Sequence, residues 1–438
     1  MKTSDYISQV REQYEELPYP PRDPHDENKR LVRTWLDDLS MINHYCYAGR
    51  QAFRDRFRVL VAGGGTGDGT IFLAQQLRHT DAEIVHLDLS RASIGIARQR
   101  AQARGLNNIS WVNDSLLALP QLGLGTFDYI NCSGVLHHLE DPDAGLCALL
   151  AVLKDTGALG VMVYGQYGRT GVYQMQALMR LINQGESDAA GMIRNTREVL
   201  ESLPRTSWFS RGRDIFPDED LDTAAGIYDF LLHSQDRAYT VGELYEWFHD
   251  RHRLNLELTD VGRGRSAYQP EMAIGPRQPR FLSSVQALPP RQQHEIAELL
   301  VGNLITHSFY ATRSPATRAP YGDADYVPFF FHEPVTGSDL SALIRHHNSL
   351  PFVVNHEHTG VAVRVDPGKF SAYILPHVDG RRSFGEIFSR VRAEPELRAS
   401  PPNDGELFRD FHAFYDLLAA IDRVLLRHRS VEPVGLET

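Results

Sequence analysis

The sequence predicts an α/β fold built on a doubly wound, largely parallel sheet, and three observations predict it. The apolar run Phe57–Ala62 ends in a turn carrying Gly63, Gly64, Gly65, Gly67 and Gly69, and a second apolar segment opens at Ile71. Strand-like runs then alternate with helix-like segments as far as Tyr164. A carboxylate, Asp88, closes the second of those runs.

Residues 1–56 form an N-terminal extension rich in aromatics and prolines, in which Tyr14-Glu-Glu-Leu-Pro-Tyr-Pro-Pro-Arg22 holds Tyr19 in a stiff, extended piece. Residues 34–54 read as one or two helices carrying His44, Tyr45 and Tyr47. The first strand runs into the glycine turn, Glu83–Asp88 is the second, and a third ends at Trp111–Asp114. Thr126–Ser133 is the fourth and Ala158–Tyr164 the fifth. Residues 165–250 then form a largely helical insertion, with helical spacing over Tyr173–Asn183 and Met192–Ser202. In that insertion Thr240 and Glu243 make a capping box. Leu254–Val261 alternates as a sixth strand, Gln292–Leu304 is helical, and Ile305–Ala311 is the seventh strand. A linker at Arg313–Gly322 leads to a small α+β unit over 323–438. Strands are expected there at Val361–Val365 and Arg423–His428, with helices at Ala372–Gly380, Ser383–Val391 and Leu407–Ala420.

The glycines let the backbone approach a ligand and adopt positive φ, which points to a nucleotide-like cofactor. Asp88 lies twenty-one residues after Gly67, where a carboxylate at a strand tip bonds the hydroxyls of a ribose. Its competing use as a plain helix N-cap is better served by Ser90. Neither glycine register completes G-x-G-x-x-G, and G-x-x-x-x-G-K-[ST] is absent, so pyrophosphate and P-loop readings are disfavoured.

Asp114 after the third strand and Gly134-Val-Leu-His-His-Leu-Glu-Asp-Pro142 after the fourth complete an ordered set. With these motifs, residues 57–165 resemble the class I S-adenosylmethionine-dependent methyltransferases. The resemblance implies a seven-stranded Rossmann-like sheet and S-adenosylmethionine as cofactor. It places Gly63, Gly64, Gly65, Gly67 and Asp88 with Leu89 at the methionine and ribose parts, and Asp114 with Ser115 at the adenine. Ser133 and Gly134 line the same cleft. One departure is Val61, which stands where the family carries an acid; Asp68 or an N-terminal residue is the expected substitute. The flanks loosely resemble the bacterial outer-membrane-protein lysine methyltransferases, with the proline-rich opening as a lid and a winged-helix-like C-terminal unit. A non-catalytic tether is the alternative for the opening.

An activated methyl donor leaves the protein to align a nucleophile, exclude water and remove a proton. His137, Tyr164 and Tyr19 are the candidate catalytic residues, with orientation of the loop as the plainer role for His137. Tyr14, Tyr19, His138, Tyr167, Arg169 and Tyr173 are the candidate acceptor-binding set. The acceptor is expected to be a protein side chain, or alternatively a small metabolite. A non-catalytic scaffold and a nicotinamide dehydrogenase are the competing classes. Retention of both Asp88 and Asp114 argues against the first, and the glycine register against the second.

A net charge of −11, with twelve basic and seventeen acidic residues from Asp323 onward, argues against nucleic acid as partner. The C-terminal unit therefore suits substrate docking or a homodimer surface. No run approaches a membrane span, the opening residues lack an apolar leader, and Cys46, Cys132 and Cys147 form no disulfide or C-x-x-C pattern. A reducing cytoplasm is the simplest compartment. His346, His347, His356 and His358 read as solvated, with no metal expected. Arg91, Arg98, Arg100 and Arg104 read as a solvated helix face.

Overall fold

A computed structural model describes residues 3–54, 56–216, 219–277, 279–332, 336–356 and 361–433. Its central sheet contains β1 (Arg58–Ala62), β2 (Glu83–Asp88), β3 (Ile109–Asn113), β4 (Phe127–Ser133) and β5 (Leu153–Gly165). It continues with β6 (Ala238–Tyr239), β7 (Asn255–Thr259) and β8 (Thr306–Thr312). The strand order is β3-β2-β1-β4-β5-β8-β7, with the two-residue β6 paired to β5. Pairings from β3 through β5 are parallel, and β8 joins β5 antiparallel. The seven strands expected from the sequence are all present; β6 is the addition. It is too short to carry a periodic signal.

Parallel strands buried on both faces read as continuous apolar runs. Val59, Leu60, Val61 and Ala62 of β1 are all buried. The strand order reverses between β1 and β4, and ligands bind in the crevice outside the carboxyl ends at such a switch point. That crevice is bordered by the glycine turn after β1 and the histidine loop after β4.

Five helices frame this region: α1 (Thr3–Glu16), α2 (Asp68–Gln76), α3 (Arg91–Ala103), α4 (Pro142–Ala151) and α5 (Thr170–Ile182). Ser90 caps α3 by accepting from the Ser93 N–H at 3.0 Å, which frees Asp88 from that task. The Thr240–Glu243 capping box is formed as expected.

The chain divides into two compact units, the first comprising residues 1–38, 53–256 and 302–313. The second comprises 39–52, 257–301 and 314–438, so segments 39–52 and 257–301 count with the C-terminal part. Its core gathers Phe384, Phe388, Leu407, Phe411 and Phe414. Strand β9 (Tyr326–Phe330) pairs antiparallel with β12 (Val424–His428), and β10 (Phe352–His356) with β11 (Val361–Val365). The short helix Leu39–Cys46 is tied in by His44, whose Nδ1 accepts from the Leu426 N–H at 3.0 Å. His347 stacks on Phe352 at 4.4 Å, while His346 is exposed. His358 lies outside the described residues.

The arginines of α3 are not one solvated face. Arg100 is 1% exposed, because two carboxylates reach it. Its guanidinium donates to Glu27 at 2.7 Å, to Asp68 at 2.6 Å and to the Thr66 carbonyl at 2.9 Å. Arg104 also pairs with Glu27, and Arg22 donates to Asp68 at 2.7 Å. Despite burial that opposes it, Arg22 and Arg100 hold the Asp68 carboxyl below its ordinary range. Removing one partner of a buried ionic network costs about 3–5 kcal/mol. Because Arg22 and Arg104 remain, Arg100→Ala is expected to cost about 3 kcal/mol of unfolding free energy by denaturant titration. A loss below about 1 kcal/mol would mean that the network carries little stability.

Candidate active site

The glycine turn lies directly beneath the N-terminal extension. The Cβ that Gly65 lacks would stand 2.8 Å from the Tyr19 carbonyl oxygen, and Gly65 has φ +53°. Gly67, at φ +103°, gives equally close passage to Ala97 of α3. Thr66 donates its hydroxyl to the Pro20 carbonyl at 2.7 Å. The extension continues over the start of α3, where the Glu15 carboxylate accepts the N–H groups of Arg91 and Ala92 at 2.6 and 3.1 Å. An acid at that position favours the helix electrostatically.

Asp88 stands at the tip of β2 with both oxygens on backbone donors, Gly65 N–H and Ser90 N–H, each at 2.8 Å. Each oxygen retains a further lone pair for a hydroxyl donor. Burial raises its carboxyl above the ordinary range, against the pull of those N–H groups. Asp114 donates its N–H to the Asp88 carbonyl at 3.2 Å, and Leu89 accepts from Asn113 Nδ2 at 2.8 Å. Ser115 caps the following turn through Leu117. Ser133 accepts from Asn131 Nδ2 at 3.2 Å, and Gly134 has φ +76° with only the Met162 terminal methyl near its missing Cβ.

Val61 shares its register with His86 on one side and Asn131 on the other, so the three side chains face one way. Asn131 donates at 2.8 Å to Asp37, which is 2% exposed and lies beside Gly69. An N-terminal carboxylate thus reaches the face on which Val61 lacks one, while Asp68 is engaged by two arginines. Burial pushes the Asp37 carboxyl up to about 7, although Thr34 and Asn131 hydrogen bonds oppose the shift.

Beyond the loop after β4 lies a second, buried cluster. His137 stacks on Tyr164 with centroids 3.8 Å apart, and His138 stacks on His233 at 3.9 Å. The Arg169 guanidinium sits 3.6 Å from the centre of the Tyr164 ring and pairs with Asp236 at 3.1 Å. Tyr173 is a further neighbour, 5.7 Å from Arg169. Asp229 is 5% exposed and accepts from the Tyr14 hydroxyl at 2.9 Å and the Tyr164 hydroxyl at 3.4 Å. Tyr14 joins the two regions, because its carbonyl accepts from Ser90 Oγ at 3.0 Å beside Asp88.

Burial lowers the pKa of His137, His138 and His233, so all three imidazoles are neutral near pH 7. Burial raises that of Asp229, with His138 and the Tyr14 hydrogen bond opposing. His138, Asp229 and His233 offer ligand atoms within 4.8 Å of one another, a grouping with the composition of a metal site. His233 Nδ1, however, accepts from the Gln235 N–H at 3.1 Å. The neutral ring then carries its proton on Nε2, so neither nitrogen has a lone pair left to ligate a metal ion.

Residues 60–159 match the family of methyltransferase domains. A Synechococcus protein described as uncharacterized is 31% identical over 317 residues, covering 72% of this chain and 73% of its own. The ubiquinone biosynthesis O-methyltransferase of Albidiferax ferrireducens is 26% identical over 160 residues, 36% of this chain and 59% of that enzyme. The structure of PKMT2 from Rickettsia typhi in complex with AdoHcy superposes with a TM-score of 0.62 at 16% identity. That match covers 94% of this chain and 77% of the other, and establishes the shared fold. The chain belongs to the class I S-adenosylmethionine-dependent methyltransferases.

For this methyltransferase the β2 tip fits the donor: a carboxylate with spare lone pairs beside a turn free of side chains suits a ribose. Of the residues expected to bind the acceptor, Tyr14, His138, Arg169 and Tyr173 come together, joined by His137 and Tyr164. Tyr19 lies instead over the glycine turn, and Tyr167 is 39% exposed. Asp229, His233 and Asp236 are missing from the sequence reading, since a helical insertion gives isolated polar residues no signature spacing.

Two outcomes follow for the donor site. Asp88→Ala is expected to abolish calorimetric binding of S-adenosylhomocysteine, and an unchanged dissociation constant would remove Asp88 from the ribose. Asp37 binds its proton more tightly folded than unfolded, so its contribution favours folding below pH about 4 and is lost as pH rises towards 7. Asp37→Asn should therefore raise the thermal midpoint at pH 8 relative to the parent, with the gain vanishing at pH 4. A gain of equal size at both pH values would contradict the shift.

Proposed function

We propose that this methyltransferase transfers a methyl group to the amine of a protein side chain, bound against Asp229. The observation that carries the reading is a charge imbalance. Among the described residues, Arg169 forms its ion pair with Asp236, whereas Asp229 forms no ion pair: phenol hydroxyls are its hydrogen-bond partners, neutral imidazoles lie beside it, and Arg169 acts on it only from a distance. A buried carboxylate in that state is costly, and a cationic amine offsets the cost.

S-adenosylmethionine, when bound, supplies a methyl group activated on a sulfonium. Asp88 and the glycine turn would hold its ribose, Asp114 and Ser115 its adenine, and Asp37 the ammonium of its methionine part. Tyr19 and the rest of the extension would shield that site from water. Asp229 orients the acceptor amine, and the Tyr14 and Tyr164 hydroxyls orient Asp229. The protein acceptor is supported by the likeness of the flanking segments to the lysine-methylating subset, and a free small amine is the alternative that the test distinguishes.

Incubation of a cell extract with methyl-labelled S-adenosylmethionine and the enzyme should place label in protein, on nitrogen. Label confined to small molecules, or carried on oxygen, would overturn the protein-amine reading. With the labelled acceptor in hand, Asp229→Asn should lower kcat/KM by about ten- to a hundredfold, equivalent to about 1.4–2.7 kcal/mol. Its affinity for S-adenosylhomocysteine should stay unchanged; a loss of donor affinity alone would assign Asp229 to the donor site instead.

A further inference from the structure

We propose that His137 and His138 form a two-step proton relay that removes the acceptor's proton and sets its charge down beside Asp229. The inference rests on the amine reading above and adds the residues that handle the proton. Its basis is the set of tautomers that the hydrogen bonds impose. His138 Nδ1 lies 3.1 Å from the Gln235 carbonyl oxygen, which can only accept, so this nitrogen carries the ring proton. His138 Nε2 is then a bare lone pair. It lies 3.1 Å from His137 Nε2, which must therefore be the donor. What remains is His137 Nδ1, a lone pair buried without any hydrogen-bond partner among the described residues.

A buried acceptor without a partner is costly, and a proton donor from the substrate relieves that cost. An ammonium N–H delivers its proton to His137 Nδ1, and the nitrogen keeps the bonding pair as its nucleophilic lone pair. His137 passes the proton on its Nε2 to Nε2 of His138. His137 is thereby neutral again, now protonated on Nδ1, and His138 is the imidazolium, still donating through Nδ1 to Gln235. One proton has entered the pair and none has left it.

The groups facing the pair favour that final placement. Arg169, the N-cap residue of α5, lies against the Tyr164 ring of β5 and opposes a cation on His137. On the insertion, Asp229 favours a cation on His138, as does Asp236 to a smaller degree. His233 stacks on His138 as a neutral ring, and Tyr14 of α1 keeps Asp229 oriented. His137 would thus touch the acceptor as its base, while His138 acts through it as a positioning residue.

The decisive measurement is made on the full-length wild-type protein, independently of any acceptor. With ¹⁵N-labelled histidine, two-bond ¹H–¹⁵N spectra at pH 7.5 should show His137 protonated on Nε2 and His138 on Nδ1. His137 protonated on Nδ1 would overturn the relay. His138→Gln retains one donor and one acceptor but cannot hold a proton. It should lower kcat about a hundredfold, leave affinity for S-adenosylhomocysteine and the thermal midpoint unchanged, and steepen the rise of rate with pH. Wild-type kcat in His138→Gln across pH 6–9 would also overturn it. Failure of the amine reading shows instead in where the label goes, with the tautomers unaffected.

Discussion

The buried carboxyl group of Asp229 is the constraint around which the proposed acceptor region is organised. A carboxyl group removed from water must be hydrogen-bonded locally, and here its partners are two phenol hydroxyls from elements far apart in the chain. Tyr14 comes from the N-terminal helix and Tyr164 from the end of the fifth strand. Satisfying one carboxylate therefore fixes the closing angle of the extension and the orientation of the ring on which His137 stacks. A buried polar group left without its hydrogen bond costs about 1–3 kcal/mol, enough to favour such an arrangement.

The extension serves both halves of the site through a single stretch of chain. Glu15 occupies the start of α3, Tyr14 reaches from Ser90 to Asp229, and the Tyr19–Pro20 carbonyls rest on the glycine turn. The Arg22, Asp68, Arg100 and Glu27 network fastens its far end. The proposed donor and acceptor regions are thereby covered by the same segment. An arrangement of this kind aligns two reactants and excludes water, which is most of what transfer of an activated methyl requires.

Much of this was legible in the sequence, for identifiable reasons. Strands buried on both faces announce themselves as unbroken apolar runs, which made β1 and β4 readable, whereas β7, only partly buried, was readable from its alternation. Asp88 was readable because a strand tip and a glycine turn at fixed spacing leave few uses for a carboxylate. The glycines themselves were only half understood, since Gly63, Gly64 and Gly67 also make room for Val135, His86 and Ala97. Arg100 was misread because helical spacing shows which residues share a face, not which carboxylates will arrive from residues 27 and 68. Asp229, His233 and Asp236 were invisible for the same reason, their meaning arising from contacts with side chains sixty or more positions away. Likewise, nothing local in residues 39–52 signals that His44 will bond to Leu426.

The central claim is that the Tyr14–Asp229 bond couples the extension to the catalytic fold. A double-mutant cycle of Tyr14→Phe and Asp229→Asn, read as unfolding free energy at pH 7.5, tests it most directly. A coupling energy of about 1–2 kcal/mol is predicted. Additivity of the two substitutions within about 0.3 kcal/mol would contradict it.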